Sequence, residues 1–129
     1  VAGSAIGPGG LLLSQERYIK DVRSLTNMVV GYVESPLYPD ANTLWGALTA
    51  AASAYDNGLT YCLFPELNQS LIGSCNGYNS NSYAMGLIKS RGGVATPLSI
   101  MPGMTSLVHP ITNTTIYPGV HKYVPSSEF

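Results

Sequence analysis

The chain has 129 residues, 45% of them hydrophobic and 10% charged, and its formal net charge is −1. That length suits one domain with an ordinary core, and a charged fraction far below the roughly 25% of typical soluble proteins leaves Ser, Thr, Asn, Gly and Tyr to supply the polar surface, as in an exported protein or part of a larger polypeptide. Six scattered Lys and Arg residues offer no block of positive charge for a phosphate backbone, so nucleic acid is not an expected partner, and no apolar run nears the roughly 18 residues that span a bilayer.

Residues 1–10, with four glycines and no charge, read as a flexible linker or processed N-terminus, and residues 11–129 as a single globular domain. The stretch 14–33 carries two signals. Ser14 is placed to cap a helix with Tyr18, Val22, Leu25 and Val29 near helical spacing, whereas Met28 to Val33 has a β-rich composition, and the boundary between the two stays open. Pro36 and Pro39 then set a loop, and Asp40 is a good N-cap for a helix over 41–55. Leu44, Leu48, Ala51, Ala52 and Tyr55 fall on one face of it, and Asp56-Asn57-Gly58 supplies the stop.

Residues 59–64 suit a buried strand that Pro65 ends. A loop leads to the polar run Tyr78-Asn79-Ser80-Asn81-Ser82-Tyr83, which opens a helix over about 81–91 closed by Gly92-Gly93. Beyond Val94 the recurring prolines 97, 102, 110, 118 and 125 leave room only for short strands such as 106–109 and 114–117. The expected architecture is α+β: a small single domain with two or three helices, a short antiparallel sheet and an irregular, Pro-rich C-terminal third.

Cys62 and Cys75 are the only cysteines. They either close a loop around residues 65–74 as a disulfide in an oxidising compartment, or stand as one buried and one surface thiol. Two Cys and two His without a close-spaced pair form no recognisable zinc set, and neither metal nor cofactor is expected.

The start of the second helix is where chemistry is best supported. The first amides of a helix have no partners within it, so a hydroxyl presented there, Ser80 or Ser82, sits beside N–H groups able to receive an oxyanion. Its base would be one of the two histidines, His109 in an apolar setting or His121 in a solvated turn, with Asn79 and Asn81 as orienting groups. The plainer reading is that Asn79 to Ser82 do no more than cap the helix.

Asn79-Ser80-Asn81-Ser82-Tyr83, an apolar helix and Gly92-Gly93 together resemble the Asn/Asp-Cys-x-x-Phe/Tyr helix start of the papain-like amidase and acyltransferase superfamily, which includes cell-wall endopeptidases and lecithin:retinol acyltransferase-like proteins. The wider string, extended to Tyr117-Pro118-Gly119 and Val124-Pro125 through Phe129, is similar to C-terminal modules of bacterial polymorphic toxins and haemagglutinin-type proteins. The resemblance implies a secreted or extracytoplasmic, toxin-associated domain acting on a peptide, glycan or small acyl substrate. It puts Ser80 where the family has its nucleophilic cysteine. A hydroxyl is harder to ionise than a thiol and needs a stronger base. No histidine precedes residue 80, so the circularly permuted order is excluded and His109 or His121 would act from downstream. The implied alternatives are an amide or ester hydrolase or acyltransferase, and an inactive binding or assembly module; a histidine-dependent ribonuclease is disfavoured by charge.

Overall fold

The computed structural model describes residues 3–6, 10–15, 32–62, 65, 76–96, 107–108, 115–116, 119 and 121–129. Within them lie strands β1 (Gly3–Ile6), β2 (Leu12–Gln15) and β3 (Tyr32–Glu34), helices α1 (Ala41–Ala54) and α2 (Ser80–Ser90), strands β4 (Val94–Thr96), β5 (Leu107–Val108) and β6 (Thr115–Ile116), and a 3₁₀ turn at Ser126–Glu128. The strands pair antiparallel as β1 with β2, β3 with β4 and β5 with β6, and the fold is α+β.

Helix α1 forms where its pattern and caps require it. Asp40 has extended backbone and its carboxylate accepts from the Thr43 amide at 3.0 Å, while the Leu44 amide donates to the Asp40 carbonyl at 3.0 Å. Leu44, Leu48, Ala51 and Ala52 are its buried face, and Trp45 is exposed. The helix stops at Tyr55, after which Asn57 takes the left-handed conformation (φ 58°) that Asn tolerates better than most residues.

Helix α2 runs through the middle of the domain. Asn81, Ser82, Tyr83, Met85, Gly86, Leu87 and Ile88 are all buried on it, a burial that no single apolar stripe would produce. Tyr83 and Leu87 pack with Leu12, Leu44, Leu48, Ala51, Ala52, Tyr55 and Val124, and burying such a side chain contributes about 1.5–3 kcal/mol. Met85 and Ile88 meet Ala95 on the other side. Gly86 lets the chain at Val124 close onto the helix: a Cβ there would lie 2.5 Å from the Val124 carbonyl oxygen and 2.8 Å from its nitrogen. At its end the Gly92 amide donates to Lys89 and the Gly93 amide to Ile88, with Gly92 at φ +65°.

Gly3–Ile6, inside the stretch that composition reads as a linker, are a strand in register with Leu12–Gln15. Ser14 is likewise in β2 and caps no helix. Its hydroxyl donates to the Ala52 carbonyl at 2.9 Å and lies 2.6 Å from the Tyr83 hydroxyl. A seryl hydroxyl has one proton, so the phenol is the donor in the second bond. Tyr18, Val22, Leu25 and Val29 lie outside the described residues. In β3 and β4, Val33 and Ala95 turn inward while Tyr32, Glu34, Val94 and Thr96 are exposed, the period-two alternation of a half-buried ladder.

The expected strand over 59–64 is present as bridges at Thr60 and Tyr61, with Leu63 and Phe64 outside the described residues. It is flanked on one side by the hairpin, through Leu12 amide to Leu59 carbonyl and Tyr61 amide to Gly10 carbonyl. On the other side the Cys62 amide donates to Tyr78 at 2.8 Å and the Tyr78 amide to Thr60 at 3.0 Å. The two short strands expected between the later prolines are β5 and β6.

Candidate functional site

Thr60, Tyr61 and Cys62 hold Tyr78 in place, and the next residue, Asn79, begins α2. Asn79 is fully buried with extended backbone (φ −120°, ψ −173°). Its side-chain oxygen accepts from the Ser82 amide at 3.0 Å and from the Ser82 hydroxyl at 3.3 Å, and its carbonyl accepts from the Tyr83 amide at 2.9 Å. Capping is thus done by Asn79.

Ser82 is fully buried, and its single hydroxyl proton is shared between the Asn79 oxygen and the Gly119 carbonyl, 3.2 Å away. Of the two hydroxyls at this helix start, Ser82 is therefore spent on structure. Ser80, the first helical residue, is half-buried and its hydroxyl makes no hydrogen bond to a described residue. Asn81 is buried beside it.

Gly119 closes the arrangement from a distant part of the sequence. Its φ of +89° is open to glycine and strained for other residues, and a Cβ on it would run into the Asn79 side-chain oxygen and lie 2.6 Å from the Ser82 hydroxyl. From there residues 121–124 pass over the helix, and the Val124 amide donates to the Ser82 carbonyl at 3.1 Å. This crossing carries Lys122, whose ammonium lies 5.0 Å from the Tyr78 ring centroid and 3.4 Å from the Asn76 side-chain oxygen, and His121, which is exposed. No hydrogen bond joins His121 to Ser80, and His109 lies outside the described residues.

The first turn of α2 holds no acidic residue, so the positive end of the helix dipole is not offset from within the helix. The arrangement offers one uncommitted hydroxyl beside helix-start amides, with a cation held against Tyr78, on a framework fixed by Asn79, Ser82 and Gly119. Among the described residues no group of three or more His, Cys, Asp or Glu is placed to hold a metal ion, and no helix is long and apolar enough to cross a membrane.

Below this site the aromatic rings of Tyr55, Tyr83 and Phe129 meet with centroids 5.1–5.4 Å apart. The Tyr55 hydroxyl is buried without a partner, and burial raises its pKa, with smaller contributions from Glu128, Tyr83 and Asp56. Burial also raises those of Tyr61 and Tyr83, the bond to Ser14 partly countering it for Tyr83. Gly119 and Lys122 are the parts of the site that residue pattern weighs least. A glycine directly after Pro118 is a signal for a positive-φ turn, but nothing local reveals that this turn lands on Asn79.

Comparison with protein-family models, with curated proteins and with solved structures returns no match.

Proposed function

We propose that this domain hydrolyses or transfers an acyl group at an amide or ester, with Ser80 Oγ as nucleophile and His109 or His121 as general base. The observation that carries the reading is the division of labour at the start of α2: Asn79 and Ser82 satisfy one another and the helix, leaving Ser80 uncommitted and partly open to solvent. In the reaction the base takes the Ser80 proton as Oγ attacks the carbonyl carbon. The oxyanion forms beside the helix-start amides, and the departing amine or alcohol receives the proton. Water or a second alcohol or amine then attacks the acyl-serine and regenerates Ser80. Asn79 acts as a positioning residue through Ser82.

The resemblance of 79–83 and Gly92-Gly93 to the papain-like helix start supports the same chemistry, as does the burial of α2, since a nucleophile at the tip of a central helix sits on a rigid support. The low charge fits an exported protein, and the resemblance adds a toxin-associated context with a peptide, glycan or small acyl compound as substrate. A second reading, a noncatalytic binding or assembly module, is favoured by one observation: exposed His121 makes no hydrogen bond to Ser80. Turnover of an activated ester and a peptide amide by the full chain separates the two. Ser80→Ala is expected to lower turnover by roughly 10²–10⁴-fold, and one of His109→Ala and His121→Ala by roughly 10²-fold or more, with the circular dichroism unchanged. Turnover that survives Ser80→Ala, or none with either substrate, favours the binding module.

A further inference from the structure

The chain has two Asn-Gly pairs, Asn57-Gly58 and Asn76-Gly77, and the structure treats them differently. Asn before glycine is chemically labile, because no side chain hinders the following nitrogen as it approaches the Asn side-chain carbon. At the stop of α1, the Asn57 amide is held at both ends. Its Oδ1 accepts from the Ser14 amide at 2.7 Å and its Nδ2 donates to the Tyr55 carbonyl at 3.2 Å. Asn76 is exposed, and among the described residues its side chain has one polar contact, from the Lys122 ammonium to Oδ1 at 3.4 Å, long for a hydrogen bond. The Gly77 amide donates to no described residue, and Cys75, on the other side of Asn76, lies outside the described residues. Packing fixes residue 77 as glycine: a Cβ there would run into the Thr60 carbonyl oxygen and stand 3.1 Å from Cys62 Cβ.

We propose that Asn76 is a deamidation site, its side chain able to close on the Gly77 nitrogen, while Asn57 is protected by its two bonds. Gly77 nitrogen gives its proton to water and attacks Asn76 Cγ. The new C–N bond forms as the Cγ–Nδ2 bond breaks, and Nδ2 leaves as ammonia with a proton from water. Water then opens the cyclic imide. Cleavage at Cγ gives aspartate, and cleavage at the main-chain carbonyl gives isoaspartate, with the chain running through the side-chain carbon. Gly77 is buried, but its nitrogen needs no outside reagent beyond water, since its partner is the side chain of the preceding residue, which is exposed.

Each product acts on the lead-in to α2. Aspartate places a carboxylate beside the Lys122 ammonium, which also lies over the Tyr78 ring, and so ties the crossing at 121–124 to this segment by an ion pair. Isoaspartate lengthens the backbone just before Tyr78, whose pairing with Thr60 and Cys62 precedes the Asn79 cap. Nothing in the reaction depends on Ser80.

The test is ageing of the full chain in mildly alkaline buffer, folded and in concentrated urea, with peptide mapping that resolves asparagine, aspartate and isoaspartate at both sites. In urea the two pairs have lost their surroundings, and their rates are expected to agree within about twofold. In the folded chain Asn76 is expected to react at least about tenfold faster than Asn57, whose two bonds must open first. A smaller ratio in the folded chain, an Asn76 that stays intact when folded while the urea sample reacts, or the same preference in urea would each overturn the proposal.

Discussion

Replacing Asn79 with alanine removes an acceptor that two groups of Ser82 share, and the other helix supplies a matched comparison. Helix caps lost to alanine cost about 1 kcal/mol on average. At Asp40 the cap is exposed, so water takes over the Thr43 amide, and Asp40→Ala is expected to cost about 0.5–1 kcal/mol. At Asn79 the surroundings are dry. The Ser82 amide, 3.0 Å from the lost oxygen, is left as a buried donor without its acceptor, which adds about 1–3 kcal/mol, while the Ser82 hydroxyl keeps Gly119. Asn79→Ala is therefore expected to cost about 2–4 kcal/mol. At about 4 °C per kcal/mol for a domain of this size, the melting temperature falls by about 8–16 °C, against about 2–4 °C for Asp40→Ala. Urea unfolding followed by far-ultraviolet circular dichroism measures both, with a common m-value as the sign of an unchanged two-state transition. Equal losses at the two caps would refute the claim that the α2 cap is buried and coupled to Ser82.

The remaining predictions concern the same core. Tyr55→Phe deletes a hydroxyl that has no partner and is expected to be neutral or stabilising by up to about 1 kcal/mol. Tyr83→Phe deletes the donor to Ser14 and is expected to cost about 0.5–1.5 kcal/mol, so opposite orderings in urea unfolding would contradict the assigned bonds. Gly119→Ala forces a side chain into a positive-φ position and against Asn79 and Ser82. A loss above about 3 kcal/mol is expected in the same assay, and one under about 1 kcal/mol would mean the turn does not rest on the helix start. Burial raises the folded-state pKa of Tyr55, Tyr61 and Tyr83, so above the ordinary phenol value of about 10 the unfolded chain loses these protons first. Their contribution is complete below that pH and declines as pH rises above it; the urea midpoint should fall as pH rises beyond about 10, and tyrosinate absorbance for these residues should appear only with unfolding.

Helix α1 was legible because its information is local: Asp40 three residues before Thr43, apolar residues on one face, and Asn57 at the stop. The closing glycines and the N-cap of α2 were equally local, and so were β5 and β6, bounded by prolines. What escaped the sequence depends on partners far along the chain. Gly3–Ile6 have the composition of a linker and become a strand through the ladder to β2. Ser14, a plausible helix cap by residue type, is in a strand and bonds instead to Ala52 and Tyr83. At the site, the polar run located the helix start and the family resemblance pointed to Ser80, but nothing local showed that Ser82 is committed to structure. The contact that commits Ser82 comes from Gly119, 37 residues later, and neither periodicity nor capping preference carries that distance.

The most direct test of the central claim is site-mapped labelling of the full chain by a fluorophosphonate, read by intact mass and peptide mapping in wild type, Ser80→Ala and Ser82→Ala. The account predicts one adduct, on Ser80, absent in Ser80→Ala and slowed by loss of one of the two histidines. Absence of an adduct on Ser80, or labelling that persists in Ser80→Ala, would contradict it.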